Sequence, residues 1–226
     1  KTDFVASIRA AVNKPEETPS FIAKLEQVFK LDTYKPLFDV DTSDILTRMK
    51  LALVPFNSTF NEVTEQRPDM YGPFWLVNTL LLLLVFAANH SRHASNVEYD
   101  LEIVGIAGTL LYSVALGVPL LLWSLVTYFE GTTRFTKLAC LYGYSLVMYL
   151  PVTVICIMPA ELLRWIVILA GITLSVSFII LNLQQELVQF AGTRKYIVMG
   201  VAAGSHVILG LSYKLYFFKF LYYADF

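Results

Sequence analysis

The chain has 226 residues, 56% hydrophobic and 15% charged, with a net charge of -1. Soluble domains run at about 45–50% apolar and about 25% charged, so a single water-exposed globule is excluded. The near-neutral balance also removes any general attraction to nucleic acid. Cys140 and Cys156 share one apolar run. As a helix it would hold them ~24 Å apart, beyond the reach of a disulfide.

The first 69 residues read like an ordinary soluble sequence, with frequent charges and prolines. Thr18-Pro19 supplies an N-cap and a first-turn proline. Phe21, Ile22, Leu25, Val28 and Phe29 then recur at helical spacing. Residues 31–40, with Pro36, read as an extended linker. Asp41-Thr42-Ser43-Asp44 opens a second amphipathic helix with Ile45, Leu46, Met49 and Leu53 on one face, and Pro55 stops it. Arg48 and Lys50 lie among them. Such a helix lies in the headgroup plane or packs on the bundle or another chain.

From Met70 onward, charges occur only in clusters between long apolar runs. Stretches free of Asp, Glu, Lys and Arg cover 70–91, 103–129, 138–160, 165–185 and 196–213, the last continuing past Lys214. A helix needs ~20 apolar residues to cross the hydrocarbon core. The runs are continuously apolar, so barrel strands are excluded and helices remain. The expected fold is all-α: a polytopic membrane protein with a five-transmembrane-helix bundle and an N-terminal cytosolic segment containing short amphipathic helices. Its regions are 1–68, a 69–219 bundle with spans near 72–91, 103–128, 138–159, 164–184 and 196–218, and a lumenal tail, 220–226. Pro119 and Pro151 lie inside spans and each removes a backbone donor, so kinks are expected there. Lys214 either ends the last span or snorkels from it.

Orientation follows from the basic residues. With the N-terminus cytosolic, that face holds Lys50, Arg67, Arg134, Lys137, Arg194 and Lys195, against Arg92, Arg164, Lys214 and Lys219 opposite. This bias favours a cytosolic N-terminus and a lumenal C-terminus. It also leaves the sequon Asn57-Ser58-Thr59 unglycosylated.

No Asp, Glu, Lys or Arg lies mid-span, where pumps and intramembrane proteases place theirs. No Gly-x-Ser-x-Gly, His-Glu-x-x-His or Walker pattern occurs. No catalytic, metal or cofactor site is expected. His90 and His93 sit near a membrane end, and His206, inside a span, is read as a hydrogen bond to a neighbouring helix. Gly200-Val201-Ala202-Ala203-Gly204 is a small-x-x-x-small stripe that admits a close helix, in this chain or in a partner. Gly200, Gly204 and His206 are therefore candidates for helix–helix association.

Arg67-Pro68-Asp69-Met70-Tyr71-Gly72-Pro73-Phe74-Trp75 reads physically as a device for starting a span. Pro68 discourages helix before it, Pro73 suits a first helical turn, and Trp75 anchors at the interface.

Here the sequence resembles the Yip family, also called YIPF, the Ypt/Rab-interacting membrane proteins. Asp69–Trp75 is similar to that family's Asp-Leu-Tyr-Gly-Pro-Phe-Trp segment, with Met70 replacing leucine. Tyr142-Gly143-Tyr144-Ser145-Leu146 with Tyr149-Leu150-Pro151 is a second similarity, and Val118-Pro119-Leu120 and Pro159 with Arg164-Trp165 extend it. Phe38-Asp39-Val40-Asp41-Thr42 resembles one branch of the family. The resemblance runs from Phe38 to Phe218.

It implies a non-enzymatic scaffold in ER–Golgi vesicle trafficking and Golgi organisation, in Golgi and early secretory membranes. The partners it implies are a prenylated Rab-type small GTPase and other Yip-family membrane proteins. No motif fixes the contact residues. Asp39, Asp41 and Asp44, with Asp69, Tyr71, Gly72 and Pro73, are candidates because they lie on or near the expected cytosolic face. The alternative is a lipid-handling or channel-like protein using a groove between kinked helices, with Asn182 and Gln184 lining it.

Overall fold

The computed structural model describes residues 31–56, 60–65, 67–190 and 192–219. The expected helix after Thr18, the sequon at Asn57 and the tail 220–226 lie outside them. The chain divides into two units, Lys1–Pro36 and Leu37–Phe226. Only the front of one helix, α1 (Leu31–Phe38), is described in the first unit.

The extended linker expected over 31–40 is corrected by α1. Pro36 falls in its last turn, where it removes one internal hydrogen bond and leaves the turns before it intact. Helix α2 (Thr42–Leu53) follows. Asp41 is extended, with Asp44 and Ile45 donating to its carbonyl at 3.0 and 3.2 Å. Helix α2 buries Arg48 and Ala52 and packs on the third and fourth spans, so of the placements open to it, it takes the one on the bundle. Short helix α3 (Phe60–Thr64) inserts Phe60 between Tyr144 and Phe178, ring centroids 5.6 and 4.9 Å away.

Five helices long and apolar enough to cross a membrane follow. The first is α4 (Tyr71–Ala94). The second joins α5 (Glu102–Tyr112), a π-helical segment Ser113–Gly117, and α6 (Val118–Tyr128). The third joins α7 (Phe135–Ser145), a 3-10 turn Leu146–Met148, and α8 (Tyr149–Cys156). The fourth is α9 (Glu161–Glu186), and the fifth is α10 (Thr193–Ser212) with a π turn Tyr213–Phe217. We call the end where the first span begins the proximal end, and the other the distal end.

Both prolines disturb their helices as expected. Pro119 cannot donate to the carbonyl four residues back. Just before it, the Val118 N–H reaches back five residues to the Ser113 carbonyl, a π geometry. Just before Pro151, the Tyr149 N–H bonds the Leu146 carbonyl in the tighter 3-10 manner. Lys214 does not end the fifth span. It snorkels: its ammonium lies 2.9 Å from Glu161 and 5.6 Å from the Trp165 ring.

The third span is the core. In its most apolar stretch 78% of residues are buried, against 33–44% in the other four. Residues 137–149 are buried without interruption. Lipid tails supply no hydrophobic force between helices, so close packing and hydrogen bonds must do so. Gly143 meets Pro73 so closely that a Cβ there would overlap the proline ring, and a Cβ on Gly171 would come within 2.8 Å of Val152.

Candidate functional site

The polar centre of the proximal end is Asp69, 2% exposed. Its carboxylate accepts the Gly72 N–H at 2.8 Å, which belongs to the first turn of the first span. It accepts the Tyr144 hydroxyl at 3.1–3.2 Å and lies 3.7 Å from the Cys140 thiol, both on the third span. It pairs with the Arg48 guanidinium from α2. Arg48 also donates to the Arg67 carbonyl at 2.9 Å. One carboxylate thus joins the α2 helix, the start of the first span and the middle of the third. An anion at a helix N-terminus is favoured by the helix dipole.

Burial opposes the Arg48 charge, but the charge and hydrogen bonding of Asp69 outweigh it. The guanidinium is held above its ordinary pKa and stays cationic. Removing one partner of such a pair leaves a buried charge uncompensated. Gly72 and Gly143 make the close approach possible. A Cβ on Gly72 would collide with the Tyr144 hydroxyl. The segments 69–75 and 142–146, distant in sequence, are therefore interlocked.

The candidate residues separate into three groups. Asp69, Gly72 and Pro73 are buried together and turned inward, with their polar groups engaged within the chain. Tyr71 is 40% exposed and rests its ring on Trp75, 6.2 Å between centroids. Asp39, Asp41 and Asp44 are exposed and make no part of the Asp69 cluster.

In the fifth span, His206 is fully buried, 3.2 Å from the Ser145 hydroxyl, and its carbonyl accepts the Tyr149 hydroxyl at 3.1 Å. This is the interhelical link expected of it. Ser145 already donates to the Tyr142 carbonyl at 2.6 Å. Its oxygen keeps lone pairs that can accept from the His206 ring. Gly200 and Gly204 have open space within 4 Å of an added Cβ. The two glycines thus meet no close helix among the described residues.

Other contacts in the bundle were not legible in the sequence. Lys137 pairs with Glu186, tying the third span to the fourth at the proximal end. At the distal end, Arg164, 1% exposed, donates to the Cys156 and Met158 carbonyls at 2.9 and 3.0 Å and to the Ser91 hydroxyl at 3.1 Å. Asn182 is buried within the bundle, its side-chain amide donating to the Phe178 carbonyl at 2.8 Å and its backbone carbonyl accepting from the Asn61 side chain at 2.7 Å, so it lines no open groove. His90 stacks on Phe86, and His93 on Tyr99. Among the described residues no three His, Cys, Asp or Glu side chains converge as metal ligands.

One apolar hollow of about 100 Å³ lies between the first two spans at the proximal end, beside this cluster. Its lining includes Phe38, Met70, Phe74, Val77 and Leu116. Tyr112 also lines it, but donates its hydroxyl to Asn78 at 3.1 Å.

Five apolar helices around a closed, internally bonded core define a multi-pass membrane protein. The chain belongs to the Yip1 domain family, the domain matching residues 50–213. It is 28% identical over 195 residues to Protein YIPF1 homolog of Dictyostelium discoideum, covering 84% of this chain and 56% of that protein. It is 27% identical over 202 residues to Protein YIP5 of Schizosaccharomyces pombe, covering 83% of this chain and 80% of that protein. No solved structure matches the chain.

Proposed function

We propose that this chain is a non-enzymatic scaffold of Golgi and early secretory membranes, acting in ER–Golgi vesicle trafficking and Golgi organisation. It holds its N-terminus in the cytosol and recruits a prenylated Rab-type small GTPase, another Yip-type membrane protein, or both. The observation that carries this reading is a contrast in polar groups. Inside the bundle, Asp69, Tyr144, His206, Asn182 and Arg164 bond within the chain. At the proximal surface, Asp39, Asp41, Asp44 and Tyr71 face outward. A structure whose buried Asp69, Tyr144 and Arg164 are tied to neighbouring elements, with an acidic surface before its first span, is suited to binding rather than to bond chemistry. The family supports the same membranes and partners.

The test is purification of the full chain from Golgi membranes in a mild detergent that preserves prenylated proteins. The expected result is recovery of a prenylated GTPase or a second Yip-type protein, reduced when Asp39, Asp41 and Asp44 become Asn. Recovery of the chain without either partner, across several such detergents, sinks the reading.

A further inference from the structure

We infer that the outer edge of α2, with the turn after it, is seated in the proximal leaflet and makes the chain a sensor of lipid packing there. The inference is independent of which partner the chain recruits. Its first support is depth. Arg48 of α2 pairs with Asp69, whose carboxylate accepts the Gly72 N–H in the first turn of the first span. Tyr71, Phe74 and Trp75 stand exposed in that turn, as aromatic rings do at the headgroup layer. Helix α2 also touches the 3-10 turn Leu146–Met148. That turn begins eleven residues, or ~16 Å, into the third span. The helix therefore lies against the side of the bundle, at the depth where lipid begins.

The bundle uses only its inner face, where Arg48 and Ala52 are buried. Leu46, Lys50 and Leu53, spaced i, i+4 and i+7, share the opposite face and are exposed. Val54 and Phe56 extend the row past the helix end, and Phe56 is 74% exposed. The Thr47 hydroxyl, beside this row, donates to the Ser43 carbonyl at 2.8 Å. The exposed hydroxyls of Ser124, Thr173 and Ser212 turn back on their own spans in the same way. Lys50 has a stem long enough to carry its ammonium up to the headgroups. A protein partner would have to displace lipid to reach this row.

Charge decides what the edge responds to. Lys50 stands against the exposed Asp39, Asp41 and Asp44, so anionic headgroups offer no net attraction. Attachment rests on apolar area, and it is strongest where headgroups cover the acyl chains loosely, as in a convex leaflet. The five spans already hold the chain in a bilayer. The edge therefore selects among membranes of different curvature; it does not recruit the chain from water.

The test has two arms, both on the full chain. In phosphatidylcholine vesicles, the probe is a phosphatidylcholine with a diazirine on its upper acyl chain. Label is expected on Leu46, Leu53 and Phe56 as well as on Leu82 and Ile166 of the spans. Label on the spans with none at 46–56 overturns the inference, and this arm needs no variant. In the second arm, the fluorescent chain is placed in giant phosphatidylcholine vesicles with its proximal end outward, and thin tubes are pulled from them. Enrichment in the tube of about twofold or more is expected. The triple variant Leu46→Ser, Leu53→Ser, Phe56→Ser changes exposed positions only, leaves the Arg48–Asp69 pair in place, and is expected to lose that enrichment. Equal density in tube and vesicle for the wild type overturns the inference, as does undiminished enrichment of the triple variant. Enrichment that grows when phosphatidylserine replaces part of the phosphatidylcholine also overturns it, because charge and not packing would then be the selector.

Discussion

The two ends of the bundle solve one problem with opposite charges. At the proximal end the carboxylate of Asp69 gathers N–H and O–H donors at the start of the first span. At the distal end the guanidinium of Arg164 gathers carbonyls at the close of the third. Each charge has the sign the helix dipole favours at its terminus. The difference lies in where the partners come from. Asp69 draws the Arg48 guanidinium from α2, outside the spans, whereas Arg164 gathers Cys156 and Ser91 from the spans and Met158 from the turn that follows the third. The proximal end therefore depends on a segment outside the spans being docked.

The largest break in this symmetry is Arg48→Ala, which leaves Asp69 charged and buried. It is expected to lower stability by ~3–5 kcal/mol, read from unfolding of the purified chain in nanodiscs. The double variant Arg48→Met, Asp69→Asn removes both charges and is expected to lose much less. Equal losses in the two would mean that the charge is not what matters. Arg164→Ala is expected to lower stability by ~1–3 kcal/mol through its orphaned oxygens. Arg164→Lys recovers only part, since an ammonium lacks the planar fork.

The glycines sharpen the same contrast between packed and open surface. Gly143→Ala forces a Cβ into Pro73 and is expected to lower stability by ~1–3 kcal/mol. Gly200→Ala meets open space and is expected to shift it by under ~0.5 kcal/mol in the isolated chain. The His206–Ser145 coupling is also small, expected near ~0.6 kcal/mol in a double-mutant cycle. A coupling near zero would remove that interhelical bond from the account.

Much of the fold was legible because lipid imposes a strong rule on composition. The charge-free runs lie within a few residues of the five helices. They fall short mainly where a charge was taken as a stop. Lys137, Glu161, Arg164 and Lys214 are all helical, each held by a partner elsewhere in the chain. The motifs 69–75 and 142–146 were visible as strings, but their interlock was not, because contact between Gly72 and Tyr144 is a property of packing. Arg48 looked like one of two basic residues on an amphipathic face. Only the folded chain brings it to Asp69. The central position of the third span was equally hidden, since an apolar run facing lipid and one facing protein read alike.

That central position bears on how the chain is made. Synthesis runs from the N-terminus, so the third span leaves the ribosome before the fourth and fifth exist. Several of its hydroxyls need no later help. Ser145 and Thr153 bond carbonyls of their own helix at 2.6 Å, and Tyr144 finds Asp69 already made. Tyr149 differs, because its acceptor on His206 is 57 residues further on. Until the last span arrives, the Tyr149 hydroxyl waits in the bilayer, and its capture belongs to the closing step of assembly.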